Sequence, residues 1–95
     1  DDKMEIQLKN KKKYDVKEFT IADEAKLKDI LMKMVKTVEG GVEIIEPNYN
    51  CLRILQIALV DSSDESIKKI KDEDRINIAL EIQKLLFEGN EKPSK

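Results

Sequence analysis

An α+β fold, mostly helical, is the class this chain predicts: an N-terminal β-hairpin followed by a bundle of three to four helices around an apolar central helix. Three observations carry the expectation. Strict apolar–polar alternation opens the chain at residues 4–9. From Leu27 apolar residues recur at helical spacing, and residues 51–60 are apolar on almost every side. With 95 residues there is room for one domain, placed at 4–90, and with four aromatics (Tyr14, Phe19, Tyr49, Phe87) its small core has to be aliphatic.

The elements follow in order. Asp1-Asp2-Lys3 before Met4 looks like the end of an enterokinase-type tag, so residues 1–3 are set aside as a tag remnant. Residues 4–9 and 13–19 are the two strands of a hairpin, with Asn10-Lys11-Lys12 as a polar turn in which Asn10 can take positive φ. Thr20 and Asp23 form a capping box that starts the first helix. Leu27, Ile30, Leu31, Met34, Val35 and Val38 make one apolar stripe, and Gly40-Gly41 closes it, giving a helix over about 21–39. Residues 42–46 read either as a short strand or as an apolar linker, ended by Pro47.

The second helix spans about 48–60, capped by Asn48 or Asn50, and its all-round apolar character puts it at the centre. Ser62 and Glu65 suggest a second capping box and a short helix at about 63–70. Asp72 caps a last helix over about 73–88, stopped by Gly89-Asn90. Residues 91–95 contain no apolar side chain and are expected to be a disordered tail.

The residue inventory removes several chemistries. There is no His for acid–base work or metal ligation, and a single Cys allows no internal disulfide and no CxxC site. No apolar run is long enough to span a membrane. Cys51 is expected to be a buried packing residue with a raised pKa. Asp61, Asp64 and Glu65 lack the oxygen count and turn glycine of a calcium loop and are read as helix capping. Glu73 and Asp74 are a carboxylate pair, placed by sequence in an exposed first turn without the desolvation that acid–base catalysis requires. No enzyme activity, metal or cofactor is therefore expected. Lys9, Lys11, Lys12 and Lys13 make a basic hairpin tip, read as a solvated turn that blunts a strand edge. With a net charge of −2, nucleic acid is not the expected partner.

The order of parts goes further than any single residue. A short hairpin leads into Phe19-Thr20-Ile21-Ala22-Asp23 and a lysine-rich amphipathic helix. An apolar helix around Cys51, a Ser-Asp-Glu restart, Asp72-Glu73-Asp74 and a final helix ending Leu85-Leu86-Phe87-Glu88-Gly89 follow. Over nearly its whole length the chain resembles the small tail assembly chaperones of tailed bacteriophages and prophages. The resemblance implies a protein of the host bacterial cytoplasm, absent from the mature particle. It would bind the tape measure protein, keep its apolar helices soluble, and act beside the tail tube protein. It also implies no cofactor. The alternatives are a small nucleic-acid-binding phage regulator, using the basic tip or the last two helices, and a structural adaptor subunit of the particle. Unpaired strand edges favour a homo-oligomer. Ile6, Leu8, Tyr14, Val16, Val42, Ile44 and Ile45 are the residues expected to bind a partner or a second copy.

Overall fold

Alternation at the start of the chain produces the expected hairpin in the computed structural model, which describes residues 4–87. The proposed tag at 1–3 and the proposed tail at 91–95 lie outside the described residues. Strand β1 (Met4–Gln7) pairs antiparallel with β2 (Lys13–Val16), with Ile6 opposite Tyr14. The turn is a three-residue loop closed by Leu8 N–H to Lys12 O, and the residue at positive φ is Lys11 (φ 76°), not Asn10. Asn10 instead holds the turn with its side chain, accepting the Lys12 N–H at 3.0 Å. The other edge of β2 is also occupied. Val16 bridges Leu59, flanked by Lys17 N–H to Ala58 O at 2.9 Å and Val60 N–H to Asp15 O at 3.0 Å.

Helix α1 (Ile21–Met34) begins with the expected capping box: Thr20 Oγ1 accepts the Asp23 N–H at 3.0 Å, and Asp23 accepts the Thr20 N–H at 3.1 Å. It buries Leu27, Ile30, Leu31 and Met34. Its C-terminus corrects the sequence expectation of a helix reaching residue 39. Val35 is extended (φ −101°, ψ 114°), and its N–H makes the last helical bond to Leu31 O. From there the chain forms a second hairpin, β3 (Val35–Val38) and β4 (Gly41–Ile44), with Lys36 opposite Glu43 and Thr37 opposite Val42. Three of the four β3 residues are β-branched, which lowers helix propensity and suits a strand. Gly40, at φ 92°, makes the hairpin turn and is not a helix C-cap. Of the two readings open for residues 42–46, the strand is the one observed.

Helix α2 (Pro47–Ala58) starts one residue before the expected point, with Pro47 at the first turn. Neither Asn48 nor Asn50 caps it. The cap position is Glu46, in the left-handed region (φ 44°), and Asn50 donates its amide back to Ile45 O at 2.9 Å. Helix α3 (Asp64–Lys68) is capped by Ser63 and not by Ser62, because Ser63 Oγ accepts the Ser66 N–H. Helix α4 (Asp72–Phe87) includes Asp72 as its first residue. The hydrophobic core runs through α2, whose Cys51, Ile54, Leu55 and Ala58 are buried, as is Leu59 just beyond it. They meet the α1 stripe, Ile67 and Ile70, the α4 residues Ile78, Ala79, Ile82 and Leu86, and Ile6, Leu8 and Val16 of the first hairpin. The fold is α+β with a central apolar helix, plus a second hairpin that the helical periodicity concealed. Among the described residues no helix is long and apolar enough to cross a membrane.

Candidate interaction surface

The helix α1 stripe ends where β3 begins, and this junction leaves an apolar cleft. A cavity of about 330 Å³ is lined by Leu31, Met32, Val35, Thr37, Gln83 and Phe87. Its walls are the end of α1, one face of β3 and the end of α4. Met32 is 71% exposed and Phe87 37% exposed, so neither side chain is consumed by the core. Lys28 Nζ lies 5.7 Å from the Phe87 ring centroid, placing a cation at the rim.

The hairpin β3–β4 continues this surface. Side chains alternate across a sheet, so Val35, Thr37, Val42 and Ile44 share one face, and two of them line the cleft. Val42 is 59% exposed. The opposite face carries Lys36 and Glu43. Every residue from Lys36 to Glu43 is exposed. The hairpin is an arm, anchored at its base by Ile45 N–H to Met34 O at 2.7 Å.

Seven residues were expected from sequence at a partner surface, and the structure divides them. Ile6, Leu8 and Val16 are buried in the core, so in the folded chain they hold the first hairpin to the helices and offer nothing to a partner. Tyr14 and Ile44 are half-buried against that core, and Ile45 is half-buried at the base of the arm. Val42 is fully available. Met32 went unnoticed because it lies off the apolar stripe. Its signal was an apolar residue between Leu31 and Lys33 on an otherwise charged face.

Of the acidic pair at the start of α4, Glu73 is exposed as expected, and Asp74 departs from the expectation. Asp74 is 4% exposed, not solvated. Its Oδ1 accepts the Asn10 amide at 3.1 Å, and its Oδ2 lies 3.5 Å from Lys12 Nζ, without a hydrogen bond among the described residues. The basic hairpin tip thus docks on the N-terminus of α4, and part of its charge is answered inside the molecule. Next to it, the Arg75 guanidinium donates to Ile67 O at 3.1 Å and pairs with Asp72 at 3.4 Å, tying the end of α3 to α4.

Among the described residues three groups titrate away from their ordinary values. Burial pushes the Cys51 thiol up to about 11, opposed in small part by the charge of Arg75. The thiol contacts Met34 Sδ at 3.8 Å and is a core group, as expected. The Thr20 backbone N–H holds Asp23 below the usual carboxylate range. The Ser66 hydroxyl, at 2.7 Å, does the same for Asp61, helped by Ser63. Asp61 thus belongs to the α3 capping loop. Among the described residues no three His, Cys, Asp or Glu side chains converge as metal ligands would.

Compared with protein-family models, curated proteins and solved structures, the chain matches none.

Proposed function

We propose that this protein is a phage tail assembly chaperone that binds apolar helical segments of a tape measure protein and keeps them soluble in the host cytoplasm. The observation that supports the reading best is the open cleft of Leu31, Met32, Val35, Thr37, Gln83 and Phe87, continued by the arm, on a chain in which 40% of residues are charged. An amphipathic client helix has an apolar stripe that must be covered to prevent aggregation, and such stripes dock into grooves through a few anchors. Met32 suits this task because its flexible thioether side chain adapts to different partners.

Magnitudes favour many weak contacts. Covering Met32 and Phe87 contributes roughly 2–4 kcal/mol, since each is partly exposed and full burial is worth about 1.5–3 kcal/mol per side chain. Association costs at least about 4 kcal/mol in lost freedom. One copy therefore holds a client segment weakly, and retention comes from several copies on one long client.

Coexpression with a tape measure protein, followed by pull-down at low and high salt, tests the reading. Retention should survive salt, because the contact is apolar, and Met32→Glu should reduce both retention and client solubility. Duplex DNA is the parallel arm. Salt-sensitive DNA binding that disappears when Lys9, Lys11 and Lys13 are replaced, with no client retention, would favour the regulator instead. The docked Lys12 and the acidic start of α4 weigh against that outcome.

A further inference from the structure

We infer that strand β4 pairs with β4 of a second copy of this chain about a two-fold axis at Val42. The argument starts from which backbone groups are spoken for. In an antiparallel ladder the residues of one strand alternate between bonding inward and pointing outward. Ile45 N–H bonds to Met34 O, and the register continues through Lys36–Glu43 and Val38–Gly41. Those pairs therefore use their groups inside the hairpin. The N–H and C=O groups of Val42 and Ile44 point away from β3, and among the described residues nothing pairs with them. The first hairpin follows the same alternation, and there the outward groups of Asp15 and Lys17 are bonded to residues 58–60. The β4 edge has no such cover.

The other free edge of the arm is less complete. On β3 the outward N–H of Val35 is already bonded to Leu31 O. Head-to-tail pairing of β4 with β3 would also advance each copy by only about 10 Å, two strand spacings. The molecule is 28 Å across its thinnest direction, so successive copies would collide. A two-fold β4–β4 pairing points the two bodies in opposite directions along the strands and closes after two copies.

Charge selects the register. Shifting the axis to Glu43 sets two carboxylates directly opposite each other, which is destabilising. Centring it on Val42 makes Val42 a hydrogen-bonded pair with its own copy and sets Glu43 opposite Gly41, and the ladder stops there because Gly40, at φ 92°, is the turn residue. The outward N–H and C=O of Val42, at the middle of the edge, are then both used. The result is a four-stranded sheet with Val35, Thr37, Val42 and Ile44 of both copies on one face. Both clefts open onto that face, because Val35 and Thr37 line each of them. This pairing does not depend on the identity of any client.

Sedimentation equilibrium on the full chain, with no client present, tests the pairing. The wild type should dimerise. Val42→Lys, which places like charges on the axis, and Val42→Pro, which removes an N–H unused within the hairpin, should each weaken dimerisation at least tenfold. Circular dichroism should show both variants folded, since residue 42 lies outside the core. Val42→Cys should form a dimer-linking disulfide under diamide, because hydrogen-bonded partners sit about 5.5 Å apart at Cα, within disulfide range. Cys51 is buried and does not compete. A wild type that stays monomeric at millimolar concentration, a dimer indifferent to Val42→Lys, or amides of Val42 and Ile44 protected from exchange only when a client strand is added would overturn it.

Discussion

Asp74 illustrates how one side chain can govern the placement of a distant element. It accepts from Asn10 across 64 positions of sequence and is shut off from water by the hairpin turn it holds. Removing a hydrogen bond to a buried charged group costs about 1–3 kcal/mol. Lys12 is half exposed and returns to water when released, so Asp74→Ala should fall towards the lower part of that range. A urea denaturation series checks the value, and faster amide exchange at Leu8 and Lys11 would place the loss at the turn. Cys51 gives a second residue-scale expectation. Its folded pKa lies above the ordinary thiol value of 9.0, so the unfolded chain ionises first as pH rises. The protein should lose about 1.4 kcal/mol of stability per pH unit between pH ~9 and ~11, a slope that Cys51→Ala abolishes. Comparing the pH dependence of the two denaturation midpoints isolates this group. Of these two roles, the sequence shows one and hides the other. Burial of Cys51 follows from its apolar neighbours, whereas the Asn10–Asp74 contact depends on how the hairpin docks, which no local pattern encodes.

Elements with a single consistent signal were legible. The Thr20–Asp23 box, the α1 stripe as far as Met34, the first hairpin and the apolar central helix all appear where alternation and periodicity place them. Helix α2 should be the energetic centre: Leu55→Ala and Leu59→Ala should each cost about 2–5 kcal/mol, read as a lowered denaturation midpoint. Residues 35–39 carry two competing signals and depart from the helix expected of them, whereas the strand is one of the two readings open for 42–46. Val35 and Val38 continue the helical spacing, but Val-Lys-Thr-Val, two glycines and Val-Glu-Ile also form alternating runs around a turn. The strand reading wins because β-branched residues lose rotamer freedom in a helix. The apolar cleft was hidden for the same reason, since it exists only where the helix stops. The exposure of every residue from Lys36 to Glu43 yields a further expectation. Replacing residues 36–43 by a short Gly-Ser linker should change stability by less than about 1 kcal/mol while abolishing self-association. Parallel thermal melts and sedimentation runs separate the two effects.

At the scale of the whole molecule, α2 is wrapped by α1 on one side and α4 on the other, and the first hairpin is held by two separate long-range attachments. One is the bridge from β2 to residues 58–60, and the other is the Asp74 contact at the start of α4. The core is shared among all these parts, so the domain should unfold as a unit. A chain ending at Lys71 lacks Ile78, Ala79, Ile82 and Leu86 as well as Asp74. It should give no cooperative thermal transition, which a calorimetric scan would reveal. Residues 36–43 of the second hairpin stand outside this cooperative unit, so the molecule divides into a body that folds as one and the exposed part of an arm that extends from it.

The Asn10–Asp74 contact also bears on the order in which the protein is made. A ribosome releases the hairpin first and the start of α4 more than sixty residues later. By itself the hairpin is a two-stranded ribbon, a form that is marginal in water until other elements cover its apolar face. The contact that locks its turn therefore waits on α4, while the bridge from β2 to residues 58–60 can form sooner.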